Sequence, residues 1–147
     1  MTAQEAQLNT FLVDVFNDIL RIENASVRKS CKNLSVSELH VLSAAAACAA
    51  NGNAGMAEIA AQLGVTASTL TASVKTLEHK GYLLRTRDGK DKRRVSVTLT
   101  DLAQPVLACH NAFHEKMVAQ VTQHLDDAQL ATFGTALTIL HTHFKTM

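Results

Sequence analysis

Two imidazoles four residues apart, in His110-Asn-Ala-Phe-His114, are the first side chains in this sequence with the spacing for chemistry. On a helix, positions four apart share a face, so the pair can present two nitrogens to one ion. A zinc hydrolase needs a glutamate directly after the first histidine as general base, and Asn111 stands there instead. No Gly-x-Ser-x-Gly elbow or phosphate-binding glycine loop is present. Cys31, Cys48 and Cys109 stand in no activating setting. The chain does not read as an enzyme, and no cofactor is required. Three unpaired cysteines make no disulfide framework, and reduced thiols fit a cytoplasmic protein. Cys48, inside an alanine run, reads as a small core residue.

The second concentration of chemistry is charge. Between Lys75 and Arg94 eight basic residues meet three acidic ones, a surplus of +5 in a chain whose formal charge is only +1. The rest of the protein therefore carries −4, and the local basic patch is the footprint of a polyanion-binding face. Within it, Tyr82–Arg87 reads as a short strand and Asp88-Gly89-Lys90-Asp91 as a turn. Val95–Leu99 alternates with period two. Arg85, Arg87, Lys90, Lys92, Arg93 and Arg94 thus belong to a hairpin, in which Asp91, two residues from Arg93, is placed to brace the turn.

Helices must position this hairpin. Ser35-Val36-Ser37-Glu38 is a capping box that starts a helix running to about Ala50. A short helix over about Met56–Leu63, a turn at Gly64, and a helix capped by Thr66 and ended by Gly81 make a helix-turn-helix. Ile59, Leu63, Val65, Leu70, Val74 and Leu77 form its expected apolar set, with the small Ala60 at the helix crossing. The second helix of the pair exposes Thr66, Ser68, Thr69, Thr71, Ala72 and Lys75, short enough to sink into a major groove roughly 12 Å wide. The hairpin follows directly and is a wing. An arginine at its tip can enter a narrow minor groove.

Long helices flank this lobe. Residues 4 to about 31 carry Leu8, Leu12, Val15, Ile19 and Ile22 at near-heptad spacing, the pattern of a helix that packs on another chain. Thr100 and Asp101 open a helix to about Leu125 with a stripe of Leu102, Val106, Cys109, Phe113, Met117, Val121 and Leu125. Pro105 is expected to cost it a backbone bond. A last helix after Asp126 carries Leu130, Phe133, Leu137, Leu140 and Phe144. No run reaches the ~18 apolar residues of a membrane span, and MTAQEAQLNT lacks the features of a signal peptide. The expected fold is mainly α: a winged helix-turn-helix with a two-stranded β wing and long N- and C-terminal dimerisation helices. Residues 1–34 and 101–147 form the dimerisation region, and 35–100 the DNA-binding lobe.

The stretch from Gly55 to Ala103, with its terminal LEHKGYL, the Asp-Lys-Arg at 91–93 and the closing LTDLA, resembles the winged helix-turn-helix of the multiple-antibiotic-resistance regulator (MarR) family. The flanking helices are similar too, so the resemblance covers nearly the whole chain. It implies a homodimer on a pseudo-palindromic site in double-stranded DNA, with half-sites about one helical turn apart, acting as a transcription regulator and repressor. LNTFLVDVFNDILRIENASVRKSCKNLSVSELH and AFHEKMVAQVT are similar to the fatty-acid-synthesis repressors of that family, the FabT type. That likeness implies an acyl chain on acyl carrier protein as effector. Phe16, Ile19, Leu20, Val41, Phe113 and Met117 are its candidate pocket.

A rival effector is implied by the family's zinc-sensing repressors, which carry their metal site where this chain has Glu23, His40, His110 and His114. Cys31 and Cys109 fall near a second site there, but Leu39 replaces one of its acidic ligands. The alternative function is thus a zinc-responsive repressor of metal-uptake genes. A helical dimerisation module that binds no DNA is the alternative of another class; it leaves the basic hairpin without a purpose.

Overall fold

The computed structural model describes every residue except Lys32 and Asp88, so the predicted contribution of Asp88 to the wing turn lies outside the described residues. The elements in chain order are α1 (Ala3–Ser30), α2 (Val36–Ala50), α3 (Met56–Leu63), α4 (Ala67–His79), β1 (Leu83–Arg87), β2 (Val95–Leu99), α5 (Ala103–Thr122) and α6 (Asp127–Lys145). Their limits follow from local chemistry. Thr2 and Glu5, Ser35 and Glu38, and Asp126 and Gln129 each close a reciprocal capping box at the start of α1, α2 and α6. Thr66 caps α4 through the amide of Thr69. Gly64 ends α3 in the left-handed region at φ +67°, the conformation that lets the chain reverse into α4.

The chain forms two compact units, Met1–Ala108 and Cys109–Met147. The first holds the core. Leu42, Ile59, Leu70, Val74, Leu77 and Leu83 are essentially inaccessible, and Val27, Leu34, Ala103, Val106 and Leu107 join the same cluster. The predicted apolar set of the helix pair loses one member. Val65 is 37% exposed because it sits in the turn between Gly64 and the cap Thr66, off either helix face. Cys48 is buried in this core, its thiol donating to Gln62 Oε1 at 3.2 Å, and burial pushes its pKa up.

β1 and β2 pair antiparallel, Leu83 opposite Leu99 and Arg87 opposite Val95. A third short contact widens this sheet. Gly55 bridges Ser96, and Val97 N–H donates to Ala54 O at 2.9 Å, so the segment before α3 is laid along β2. Thr100 closes the base of the hairpin, its hydroxyl donating to Gly81 O and its amide to Tyr82 O.

Two expectations for α5 are corrected. The helix begins at Ala103, so Pro105 is its third residue. The first four amides of a helix have no intrahelical acceptor, and Pro105 therefore removes no bond. The buried face near its start is Ala103, Val106, Leu107 and His110, whereas Leu102 and Cys109 of the predicted stripe are exposed. In the second unit α6 buries none of its residues, and Phe133, Leu137, Ile139 and Phe144 stand exposed. Among the described residues no helix is long and apolar enough to cross a membrane.

Candidate nucleic-acid interface and metal ligands

On α4 the side chains expected to meet DNA are largely accessible: Thr66, Ser68, Thr69, Ala72 and Lys75 are exposed and Thr71 is half-buried. Their hydroxyls are not equally available. Thr66 Oγ1 accepts the Thr69 amide at 3.2 Å and donates to Thr69 Oγ1 at 2.9 Å, and Ser68 Oγ lies 3.2 Å from it. Thr71 Oγ1 donates to Ala67 O at 2.8 Å. Thr71 and Thr66 therefore spend their protons on the helix and keep only acceptor capacity, while Ser68 and Thr69 are the hydroxyls best exposed for an outside partner.

The wing cations divide into two groups. Among the described residues the side chains of Arg87, Lys92 and Arg93 are exposed and make no hydrogen bond or ion pair, and Lys90 is exposed beside them. Arg85 and Arg94, by contrast, are engaged. Arg85 places Nε 3.2 Å and Nη2 3.0 Å from Glu78 Oε1, and its backbone amide donates to Glu78 Oε2 at 2.8 Å. Those bonds hold the Glu78 carboxyl below the usual glutamate range. Arg94 donates to Asn53 Oδ1 and lies 3.8 Å from Glu58. Glu58 is held below its usual range by its own backbone amide, by Asn53 and by Arg94. Asp91 acts through the backbone: its carboxylate accepts the Arg93 amide at 3.0 Å and its carbonyl the Arg94 amide at 3.0 Å. It folds the turn without touching the arginine side chain that the spacing suggested.

A further set escaped sequence reasoning. Lys80, just past α4, donates to both carboxylate oxygens of Glu38 at 3.1 and 2.9 Å and to Asn33 O. Tyr82 O–H donates to Asn33 Oδ1 at 2.8 Å. These bonds tie the end of α4 to the start of α2 and the segment before it. Nothing local announces partners more than forty residues away.

Of the possible metal ligands, Glu23 is buried on α1 with His40 Nε2 of α2 at 3.3 Å from its nearer oxygen. A carboxylate that far from water needs a cation or donor beside it, and an imidazole or an imidazole-bound ion meets that need. His110 is buried and His114 half-buried on α5, with ring centroids 4.4 Å apart and edge-to-face. A carboxylate beside an imidazole, as at Glu23 and His40, and a pair of imidazoles, as at His110 and His114, are each donor types that zinc takes. Leu39 is in the core, 3% exposed, and offers nothing to a second ion; Cys31 is half-buried and Cys109 exposed. The acyl-pocket candidates are dispersed in character: Phe16 is exposed, Ile19 and Leu20 half-buried, Val41 part of the core, and Phe113 and Met117 half-buried. His79 is exposed at the last turn of α4, and His124, His141 and His143 are exposed.

Comparison with known proteins agrees with this geometry. Residues 34–95 match the MarR family. A 58-residue stretch is 37% identical to the transcriptional regulator AdcR of Streptococcus pneumoniae, a match that spans 40% of this chain and 40% of that protein's length. The crystal structure of Streptococcus pneumoniae FabT in complex with DNA is 29% identical, with a TM-score of 0.84 over 97% of this chain and 98% of that one. The DNA complex of MepR from S. aureus shares the fold at 16% identity, with a TM-score of 0.75 over 91% of this chain and 94% of that one.

Proposed function

We propose that this chain is a DNA-binding transcription regulator of the MarR family, which its residues 34–95 match, and that it acts as a cytoplasmic, dimeric repressor whose DNA affinity is set by an acyl chain on acyl carrier protein. Two copies would set two α4 helices into successive major grooves of a pseudo-palindromic operator, about one helical turn apart. Ser68, Thr69 and Lys75, with the acceptor oxygens of Thr66 and Thr71, would meet bases and phosphates. Arg87, Lys90, Lys92 and Arg93 would meet the backbone or the minor groove. The observation that carries this reading is the split on the wing: Arg87, Lys92 and Arg93 are solvent-exposed and make no side-chain hydrogen bond or ion pair among the described residues, next to an exposed α4 face. The acyl effector rests on the likeness of the flanking helices to the fatty-acid-synthesis repressors, with Phe16, Ile19, Leu20, Val41, Phe113 and Met117 as its candidate lining. The dimerisation region would be 1–34 and 101–147, where α1 exposes Leu8, Phe11, Leu12, Val15, Phe16 and Ile22 and α6 exposes Phe133, Leu137 and Phe144.

A second reading, a zinc-responsive repressor of metal-uptake genes, is favoured by the buried Glu23 beside His40. The likeness to the zinc-sensing repressors implies Glu23, His40, His110 and His114 as ligands, and zinc at Glu23 and His40 would supply a divalent charge to neutralise that carboxylate. Elemental analysis and native mass spectrometry of protein purified without chelator or affinity tag separate the two. Near-stoichiometric zinc, lost in His40→Ala and in His110→Ala/His114→Ala, carries the metal reading. Metal-free dimer retaining an acyl adduct carries the first.

A further inference from the structure

The link between α4 and the wing is short: Lys80, Gly81 at φ +87° and Tyr82 separate His79 from Leu83. The left-handed Gly81 turns the chain from α4 into the hairpin, and the buried Tyr82 and Leu83 hold the base of β1 in the core. Farther out, two sets of contacts set the angle of the hairpin to the helices. On β1 the Arg85 amide faces away from β2, the kind of outward donor that an edge strand leaves unmet. Glu78, in the last turn of α4, accepts that amide and the guanidinium together, three N–H groups from one residue on one carboxylate. Just before β2, Arg94 reaches Asn53 and Glu58 in and before α3. Each strand is thereby moored to a different helix of the helix-turn-helix, β1 at its middle residue and β2 just before its first residue at the loop end, and Lys90, Lys92 and Arg93 lie in the loop between the two strands.

We infer that Glu78 and Arg85 are positioning residues that set the wing at a fixed angle to the reading helix, and that Arg85 makes no phosphate contact. The inference rests on the DNA-binding reading above and reassigns one cation of the wing within it. Arg85 already spends Nε and Nη2 on Glu78, and its side chain is only about a third exposed, as is that of its partner. The paired charges cancel locally, so the pair offers a phosphate no net attraction. The planar fork matters as much as the charge, because a lysine cannot reproduce two donors aimed at one carboxylate.

The test measures affinity for a mixed-sequence duplex of about 30 base pairs, long enough for two half-sites, over a range of salt. Wild type is compared with Glu78→Gln, Arg85→Gln, Arg85→Lys and Arg87→Gln. A mooring predicts that the first three all weaken binding, by roughly three- to tenfold, with the salt slope unchanged. Arg87→Gln, at the tip, lowers the slope by about 0.9. Simple electrostatics predicts the opposite pattern. Removing the Glu78 charge would then tighten binding, Arg85→Lys would be neutral, and Arg85→Gln would cost a slope unit; any of these overturns the assignment. A second arm needs no DNA. Hydrogen exchange on the free protein should show the Arg85 amide and β1 protected in wild type and released in Glu78→Ala, which removes the acceptor, with the α2–α4 core unchanged. Equal protection in both overturns the mooring, whereas a wild type that binds no duplex while this exchange difference holds strikes at the DNA-binding reading alone.

Discussion

The exposed face of α6 makes the proposed dimer a quantitative matter. Phe133 and Leu137 lie one helical turn apart and remain 45% and 44% exposed in a single chain. Full burial of such side chains is worth ~1.5–3 kcal/mol each, so the open half of each is worth about 1 kcal/mol. In a twofold dimer the same patch is used by both copies. Phe133→Ala/Leu137→Ala therefore removes about 2 kcal/mol per chain and up to about 4 kcal/mol per dimer, which raises the dissociation constant by about 30- to 1000-fold. The lower figure applies where the interface buries the patch of one copy only, the upper where it buries both. Sedimentation equilibrium over a wide concentration range reads this directly. Wild type should also melt at a temperature that rises with protein concentration, because association is linked to folding. Wild type that sediments as a monomer at all concentrations, or a double variant with an unchanged dissociation constant, would refute the reasoning. The apolar faces of α1 and α6 would then need another explanation.

Arg93→Ala should weaken binding to every duplex alike and lower the salt slope by about 0.9, since a phosphate contact reads no sequence. Thr69→Ala should instead change the order of preference among duplexes, and equal loss on all of them in a binding-site selection would sink its role in base reading. Because the Glu78 carboxyl is held below the usual glutamate range, its ionised form is favoured by the fold. Its contribution is present above the ordinary glutamate pKa of about 4.3 and is lost as pH falls through the depressed folded value. The melting-temperature gap between wild type and Glu78→Gln should thus be full at neutral pH and close only in acid; a gap that is constant with pH counts against the ion pair. Gly64→Ala has open space around the added carbon but a φ of +67°, so only backbone strain opposes it. It should cost about 1–2 kcal/mol in chemical denaturation, while a neutral result would mean the turn can relax.

Much of the scaffold was legible because its signals are local. The capping box at Ser35 and Glu38, the Gly64 turn, the Thr66 cap and the period-two run of β2 each act within a few residues, and each marks an element where the structure has one. Val65 and Pro105 were misread at the same scale. The pattern was right, but an offset of a residue or two decides whether a side chain lies on a helix face or in a turn, and whether an amide is needed.

The residues of the basic hairpin could be named from composition, but their roles could not be divided. Arg85 and Arg87 are two positions apart with the same chemistry. Arg85 is engaged by Glu78 and Arg87 has no side-chain partner among the described residues, because the α4–β1 link folds back to bring a carboxylate seven residues earlier onto the first and not the second. Likewise Arg94 finds Asn53, and Lys80 finds Glu38, across more than forty residues of chain. The sequence by itself determined the helix-turn-helix, the wing and the surplus of cations, since helix stops, turns and alternation are short-range effects. Only the tertiary structure decided which cations stay available for DNA, because an arginine's availability depends on which distant carboxylate the packed core carries to it.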